Sequence, residues 1–214
     1  VPCDDLESDD YLAFVSRNGY VKRTRLDAFS NPRRGGIRAV KVEEGDDLVR
    51  VIRTSGDLDL LIATANGNAI RFDETDARAM GRTARGVIGI KLRDDDHVVD
   101  ASTGSEDDRM LVVTETGYGK RTDINQYSRI NRGGYGVKNA DLSDDTGSVV
   151  ISRVVDDDDE LILISREGMV IRVDASEISK YGRATRGVTV MELKEGDVVK
   201  GIAEVSPNDL EESE

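Results

Sequence analysis

Leu60-Leu-Ile-Ala-Thr-Ala-Asn-Gly-Asn-Ala-Ile-Arg71 decides the fold, because the same phrase is written three more times in the chain. It recurs as Tyr11-Leu-Ala-Phe-Val-Ser-Arg-Asn-Gly-Tyr-Val-Lys-Arg23, as Met110-Leu-Val-Val-Thr-Glu-Thr-Gly-Tyr-Gly-Lys-Arg121 and as Leu161-Ile-Leu-Ile-Ser-Arg-Glu-Gly-Met-Val-Ile-Arg172. The shared glycines, Gly19, Gly67, Gly117 and Gly168, stand 48, 50 and 51 residues apart, and an arginine follows each by four positions. A second anchor lies 17 to 19 residues downstream: Arg34-Gly-Gly36, Arg85-Gly86, Arg132-Gly-Gly134 and Arg186-Gly187. Agreement at both anchors in all four copies makes the chain a repeat array.

Each unit reads as four strands. The first is apolar nearly throughout, as a strand covered on both faces must be. An X-Gly pair then closes a two-residue hairpin, since glycine adopts positive φ without a Cβ clash. The second strand carries the arginine. A polar connection with the second anchor leads into an alternating run such as Ile37–Val42 or Val87–Leu92, and a short acidic turn leads to the fourth strand. Helical periodicity is missing, apart from a single helical turn expected at Thr75–Met80 or Ala175–Lys180. Four strands per ~50 residues predicts an all-β, propeller-like array. Blades are expected at 10–56, 57–107, 108–157 and 158–207, with residues 1–9 ending a preceding blade and 208–214 an acidic tail.

Composition bounds the chemistry. The 214 residues carry 43 acidic and 30 basic side chains, a net charge of −13, with one Cys and one His. Zinc sites and His-based triads have too few ligands to form, and the lone Cys3 cannot close an internal disulfide, which fits a reducing cytoplasm. Apolar runs of about four residues are too short for a membrane helix. No phosphate-loop motif is present, so ATP is not expected on this chain. Of the cations 22 are Arg, and of the acids 28 are Asp, gathered in turns such as Asp94–Asp96 and Asp156–Glu160. Such an acidic, lysine-poor surface suits concentrated salt, where self-repulsion is screened. An ordinary solvated acidic surface is the other reading. His97 reads as an exposed turn residue.

The cations are periodic. Lys22, Arg23, Arg71, Lys120, Arg121 and Arg172 recur on the second strand, and Arg33, Arg34, Arg82, Arg85, Arg129, Arg132, Arg183 and Arg186 recur in the connection. In a radial array they would form a band along one rim, suited to the backbone of a double-stranded nucleic acid. The arginine fork binds phosphate bidentately, and the adjoining glycines would let phosphates approach backbone N–H groups. The competing reading is that these arginines pair with acids to tie blades together. Readout of base sequence is not expected, because there is no recognition helix and only Tyr20 and Tyr118 share a repeat position.

The segments Ala63–Phe72, Ala77–Leu92, Thr116–Thr122 and Glu177–Val188 resemble the C-terminal domain of the DNA gyrase A protein, over residues 10 to 207. The resemblance implies a β-pinwheel, a propeller-like ring whose blades exchange strands, usually six in number, of which this chain would hold the last four. It implies a non-catalytic, DNA-wrapping part of an ATP-dependent type II topoisomerase that supercoils DNA negatively. The partners implied are the gyrase B protein, which would carry ATP and magnesium, and a second copy of gyrase A. The nucleophilic tyrosine would lie in another domain, outside Tyr11, Tyr20, Tyr118, Tyr127, Tyr135 and Tyr181. Pro32-Arg-Arg-Gly-Gly-Ile-Arg38 matches only the R-R-G-G core of the family's Q-R-R-G-G-K-G box. The alternatives are the related C-terminal domain of the topoisomerase IV A protein, and a propeller that binds protein partners.

Overall fold

The computed structural model describes residues 6, 8–32 and 34–205, without the side chains of residues 204 and 205. Cys3, Arg33 and the acidic tail at 208–214 lie outside the described residues. The chain is all-β, with one short 3-10 turn per unit, at Leu26–Phe29, Glu74–Asp76, Ile124–Gln126 and Ala175–Glu177. The helical turns expected at Thr75–Met80 and Ala175–Lys180 are thus shorter, begin at or just before those positions, and have counterparts in every unit.

In each unit the two arms of the first hairpin are β1 (Tyr11–Ser16) with β2 (Tyr20–Arg25), β4 (Asp59–Thr64) with β5 (Asn68–Asp73), β8 (Arg109–Thr114) with β9 (Tyr118–Asp123), and β12 (Glu160–Ser165) with β13 (Val170–Asp174). The hairpin glycines all have positive φ, from 75° at Gly67 to 86° at Gly168. On the inner side each first arm pairs with β3 (Leu48–Thr54), β7 (Val98–Gly104), β11 (Val149–Val155) or β15 (Val199–Val205).

The outermost strand is not kept within its own unit but exchanged between blades, as the resemblance implies. β6 (Val87–Ile88), β10 (Val137–Lys138) and β14 (Val188–Thr189) pair not with their own units but with β2, β5 and β9 of the unit before. Three sheets therefore have four strands, in the orders β3-β1-β2-β6, β10-β5-β4-β7 and β11-β8-β9-β14, and the last has three, β13-β12-β15. The donated strands are also short. Beyond Ile88 the run bends inward through Gly89, whose N–H donates to the Gly19 carbonyl at 2.8 Å, so Ile90 is buried against the first blade rather than continuing a ladder.

This exchange explains the unbroken apolar strands. Leu60 and Ile62 of β4 join Ala13, Val15 and Val21 of the first blade in one core cluster. Leu61 and Ala63, on the opposite face, join Met110 and Val112 of the third. Leu111 and Val113 then pack against Leu161 and Leu163 of the fourth. Successive side chains of a strand point to opposite faces, so a blade between two others needs apolar residues at every position. On the last blade Ile164 and Val170, at 39% and 58% exposure, lack such a cover among the described residues.

Gly187 shows how closely the donated segment seats. Its φ is 84°, and a Cβ there would lie 2.4 Å from the Gly119 carbonyl oxygen of the preceding blade. Gly86 meets the Val21 carbonyl in the same way, at 2.5 Å. Gly196 has a similar φ of 82° but open space around it. Gly196→Ala should therefore lose about 1 kcal/mol, for left-handed backbone alone. Gly187→Ala should lose about 2–4 kcal/mol, adding the cost of forced separation. Urea denaturation of the two variants checks this, and equal losses would mean the close approach contributes nothing.

Candidate nucleic-acid interface

The strand exchange sorts charge by position. Acids collect at the two ends of the blades. At one end lie the turns near Asp46, Asp96 and Asp197, each capping the hairpin of its own unit through its carboxylate. At the other end lie Asp57, Glu106–Asp108 and Asp156–Asp159, between the inner strand and the next first arm. The connections that deliver the donated strands run along the outer edge, and they carry the second-anchor arginines.

Five of the expected band residues are not on that edge. Lys22, Arg23, Arg71, Lys120 and Arg121 are between 0 and 5% exposed. In the three four-stranded sheets the second strand lies between the first arm and the donated strand, and the next unit's connection lies over it, so its cations face protein. Arg23 donates from Nε to the Ala77 carbonyl at 2.9 Å and from Nη1 to Glu74 at 2.7 Å. Glu74 is fully buried and also accepts from the N–H groups of Gly56 and Leu58, at 3.0 and 2.9 Å. Arg71 pairs with Asp59 at 2.6 Å and reaches the Ile124 and Tyr127 carbonyls, both at 3.3 Å. Arg121 donates to the Ile178 and Ser176 carbonyls, both at 2.8 Å, and pairs with Asp157. Each arginine thus caps the carbonyls of the next unit's 3-10 turn. For these residues the tie between blades is the reading the geometry supports. Arg172, on the uncovered blade, is exposed and pairs with Glu160.

The two lysines act on the connections themselves. Lys22 Nζ donates to the carbonyls of Ala39 and Arg82, both at 2.7 Å. Lys120 Nζ donates to the carbonyls of Gly182 and Arg183, at 2.9 and 2.6 Å. They pin the arginine loops from beneath. The glycines differ accordingly: Gly86 and Gly187 are packed against carbonyls of the preceding blade, whereas Gly35 and Gly36 face open space.

The remaining connection arginines reach the surface in different states. Arg34, Arg85, Arg129 and Arg186 are exposed, and Arg82, Arg132 and Arg183 half-buried. Arg129 pairs with Asp59 and Asp73, both at 2.7 Å, and Arg132 donates to the Asp76 and Ile88 carbonyls at 2.8 and 3.0 Å. Arg183 donates to the Lys138 carbonyl at 2.8 Å. Arg85 and Arg186 instead lie over the rings of Tyr20 and Tyr118, 3.7 and 4.8 Å from the centroids. Sequence reasoning missed Lys91 and Arg93, exposed beside Tyr135, and also the inner cluster in which Arg50 and Arg153 both meet Asp100. No anchor motif marks them; the equal spacing of Tyr135 and Arg85 ahead of their donated strands was the available signal for the first pair. Tyr127, fully buried, donates to Asn139 at 2.6 Å, and His97 is half-buried rather than exposed.

Burial pushes Lys22 and Lys120 down to about 8. At Lys120 the charges of Arg183 and Lys138 push the same way and Asp141 opposes them. In the unfolded chain both keep their protons up to the ordinary value of 10.5, so above about 8 the unfolded state binds more protons than the folded one. Stability contributed by these groups is therefore flat below about 8 and rises as pH climbs toward 10.5. In thermal melts between about pH 7 and 10, the unsubstituted protein should gain on a Lys22→Met/Lys120→Met variant as pH rises. Parallel curves would show that the lysines titrate normally in the fold.

Comparison with known proteins agrees with this architecture. The sequence matches the family described as DNA gyrase C-terminal domain, beta-propeller, over residues 10–55, 58–104, 108–156 and 159–206. It is 52% identical over 214 residues to the DNA gyrase A protein of Halalkalibacterium halodurans, covering 100% of this chain and 25% of that protein. Against the DNA gyrase A protein of Haloquadratum walsbyi the identity is 41% over 202 residues, covering 92% of this chain and 24% of the relative. The chain thus spans about a quarter of the length of the curated relatives it matches. Among solved structures, the C-terminal domain of DNA topoisomerase IV superposes with a TM-score of 0.92 at 27% identity, over 100% of this chain and 67% of that one. The DNA gyrase A C-terminal domain superposes with a TM-score of 0.84 at 29% identity, over 94% and 68%. With repeat, strand exchange and sequence in agreement, the chain belongs to the DNA gyrase A C-terminal domain family and has its β-pinwheel fold.

Proposed function

We propose that this domain binds and wraps double-stranded DNA on its outer edge, as the non-catalytic C-terminal part of a gyrase A protein in an ATP-dependent type II topoisomerase. The observation that carries the reading is the recurrence of exposed connection arginines along that edge in a chain whose net charge is −13. Contacts of this kind act on the phosphate backbone and tolerate any base sequence. A point contact would be weak in salt: about six phosphate contacts lose ~5 powers of ten in affinity per tenfold rise in salt. Several blades holding one duplex compensate through effective concentration, which favours a wrapped path.

The remainder of the holoenzyme follows from the same reading. Gyrase B and a second copy of gyrase A complete the assembly in the cytoplasm, and ATP and magnesium sit on gyrase B. The acid-rich ends suit concentrated salt, where their mutual repulsion is screened within ~3 Å at about 1 M. The likeness to the topoisomerase IV domain favours a second reading, in which the domain steers the choice of DNA rather than wrapping it tightly.

Relaxing a closed circular plasmid with a type I topoisomerase in the presence of this protein separates these readings. Wrapping with positive handedness should leave positively shifted topoisomers, in proportion to protein added. Binding without any shift would favour the topoisomerase IV-like mode, and no binding at low salt by folded protein would overturn the DNA reading.

A further inference from the structure

A carboxylate that holds an arginine neutralises it, whereas an aromatic ring holds the cation and leaves its charge and N–H edge for another anion. That distinction separates two groups among the outer-edge arginines, with Arg34 and Arg82 in neither. Arg129 and Arg132 are taken up by carboxylates and backbone carbonyls, and Arg183 by a carbonyl. Arg85 and Arg186 are exposed and make no ion pair or hydrogen bond from their guanidinium groups among the described residues. Glu43 and Asp141, the carboxylates whose charges interact with Arg85 and Arg186, are hydrogen-bonded to Lys41 and Lys138 instead.

The middle junction repeats the device with its polarity reversed. Tyr135 stands two residues before β10, as Arg85 stands two before β6 and Arg186 two before β14. Its opposite number on the preceding blade is Asn68, where the other junctions have Tyr20 and Tyr118. The cation comes from the preceding unit instead: Arg93 lies 4.9 Å from the centroid of the Tyr135 ring, with Lys91 at 5.9 Å. Each junction between consecutive blades therefore carries one exposed ring-supported arginine; Arg23 also lies over a ring, that of Tyr11 at 4.6 Å, but is buried.

We propose that these three arginine–tyrosine pairs, Arg85 on Tyr20, Arg93 on Tyr135 and Arg186 on Tyr118, are the phosphate-gripping points for DNA, and that Arg129, Arg132 and Arg183 are structural. The inference rests on the DNA-binding reading above and assigns its contacts. The ring restricts the long side chain before binding, so less freedom is lost when a phosphate arrives. The planar fork then meets phosphate oxygens with two parallel hydrogen bonds. One pair per junction also spaces the contacts along the edge, as a duplex lying across successive blades requires.

The test compares two variants of equal charge change on duplex DNA of about 40 bp, in a salt series chosen to resolve counterion release. One is Arg85→Gln/Arg93→Gln/Arg186→Gln; the other is Arg129→Gln/Arg132→Gln/Arg183→Gln. Circular dichroism and thermal melts show whether each is folded. The ring-supported variant should lose about 2 to 3 from the magnitude of the slope of log K against log salt, near 0.9 per phosphate contact. The other should keep the slope while melting at lower temperature. A third variant, Tyr20→Leu/Tyr118→Leu/Tyr135→Leu, keeps every cation and should bind more weakly with nearly the parent slope. Equal slope losses in the first two variants, or no loss in the first, overturn the assignment while leaving DNA binding intact. Absence of binding by the unsubstituted protein overturns the DNA reading itself.

Discussion

The Met80 N–H donates to the Arg23 carbonyl at 2.8 Å, while the Arg23 guanidinium reaches forward to Ala77 and Glu74. One residue thus fastens the next unit with its backbone and its side chain together. Arg71 and Arg121 do the same at their junctions, accepting from the N–H groups of Ile130 and Tyr181 at 2.9 Å in both cases. The interaction matters because no blade can hide its own hydrophobic surface. Its first strand is apolar on two faces, and its outermost strand is on loan from its neighbour. Docking the connection covers one face, completes the sheet and brings the polar loop to the outer edge in a single step. A buried arginine is costly unless its donors are met, and here carbonyls at the end of a 3-10 turn and an acid meet them at every junction.

The outer edge inherits its chemistry from that docking. A connection must leave one blade and return to it from the next, so its turn is exposed and its ends are fixed. The buried Lys22 and Lys120 hold two of these turns by their carbonyls, which leaves the side chains of the same turns free to face solvent. The runs of acids lie at the blade ends, where turns are short and carboxylates cap N–H groups. Net negative charge and a cationic edge coexist because the topology separates them.

Much of this was legible in the sequence. The period of the glycines and arginines specified four similar units, the unbroken apolar strands specified burial on both faces, and the X-Gly pairs specified the hairpins. These are local properties: alternation along a strand and the left-handed backbone of glycine need no knowledge of neighbours. The acidic turns were likewise placed by composition alone.

Which cations face solvent was not legible. Arg23 and Arg85 look equivalent in a sequence, each an arginine on a repeating anchor, and only the next unit's 3-10 turn and connection bury the first while leaving the second over Tyr20. The same holds for Gly187, whose neighbour is a carbonyl 68 residues earlier in the chain. Sequence alone determined the repeat, the all-β character and the hairpins, because each depends on residues within one unit. Tertiary structure decided which segments are exchanged and how far they pair, the buried lysines and the ring-supported arginines, because each depends on a contact between residues of two units that no pattern within one unit encodes.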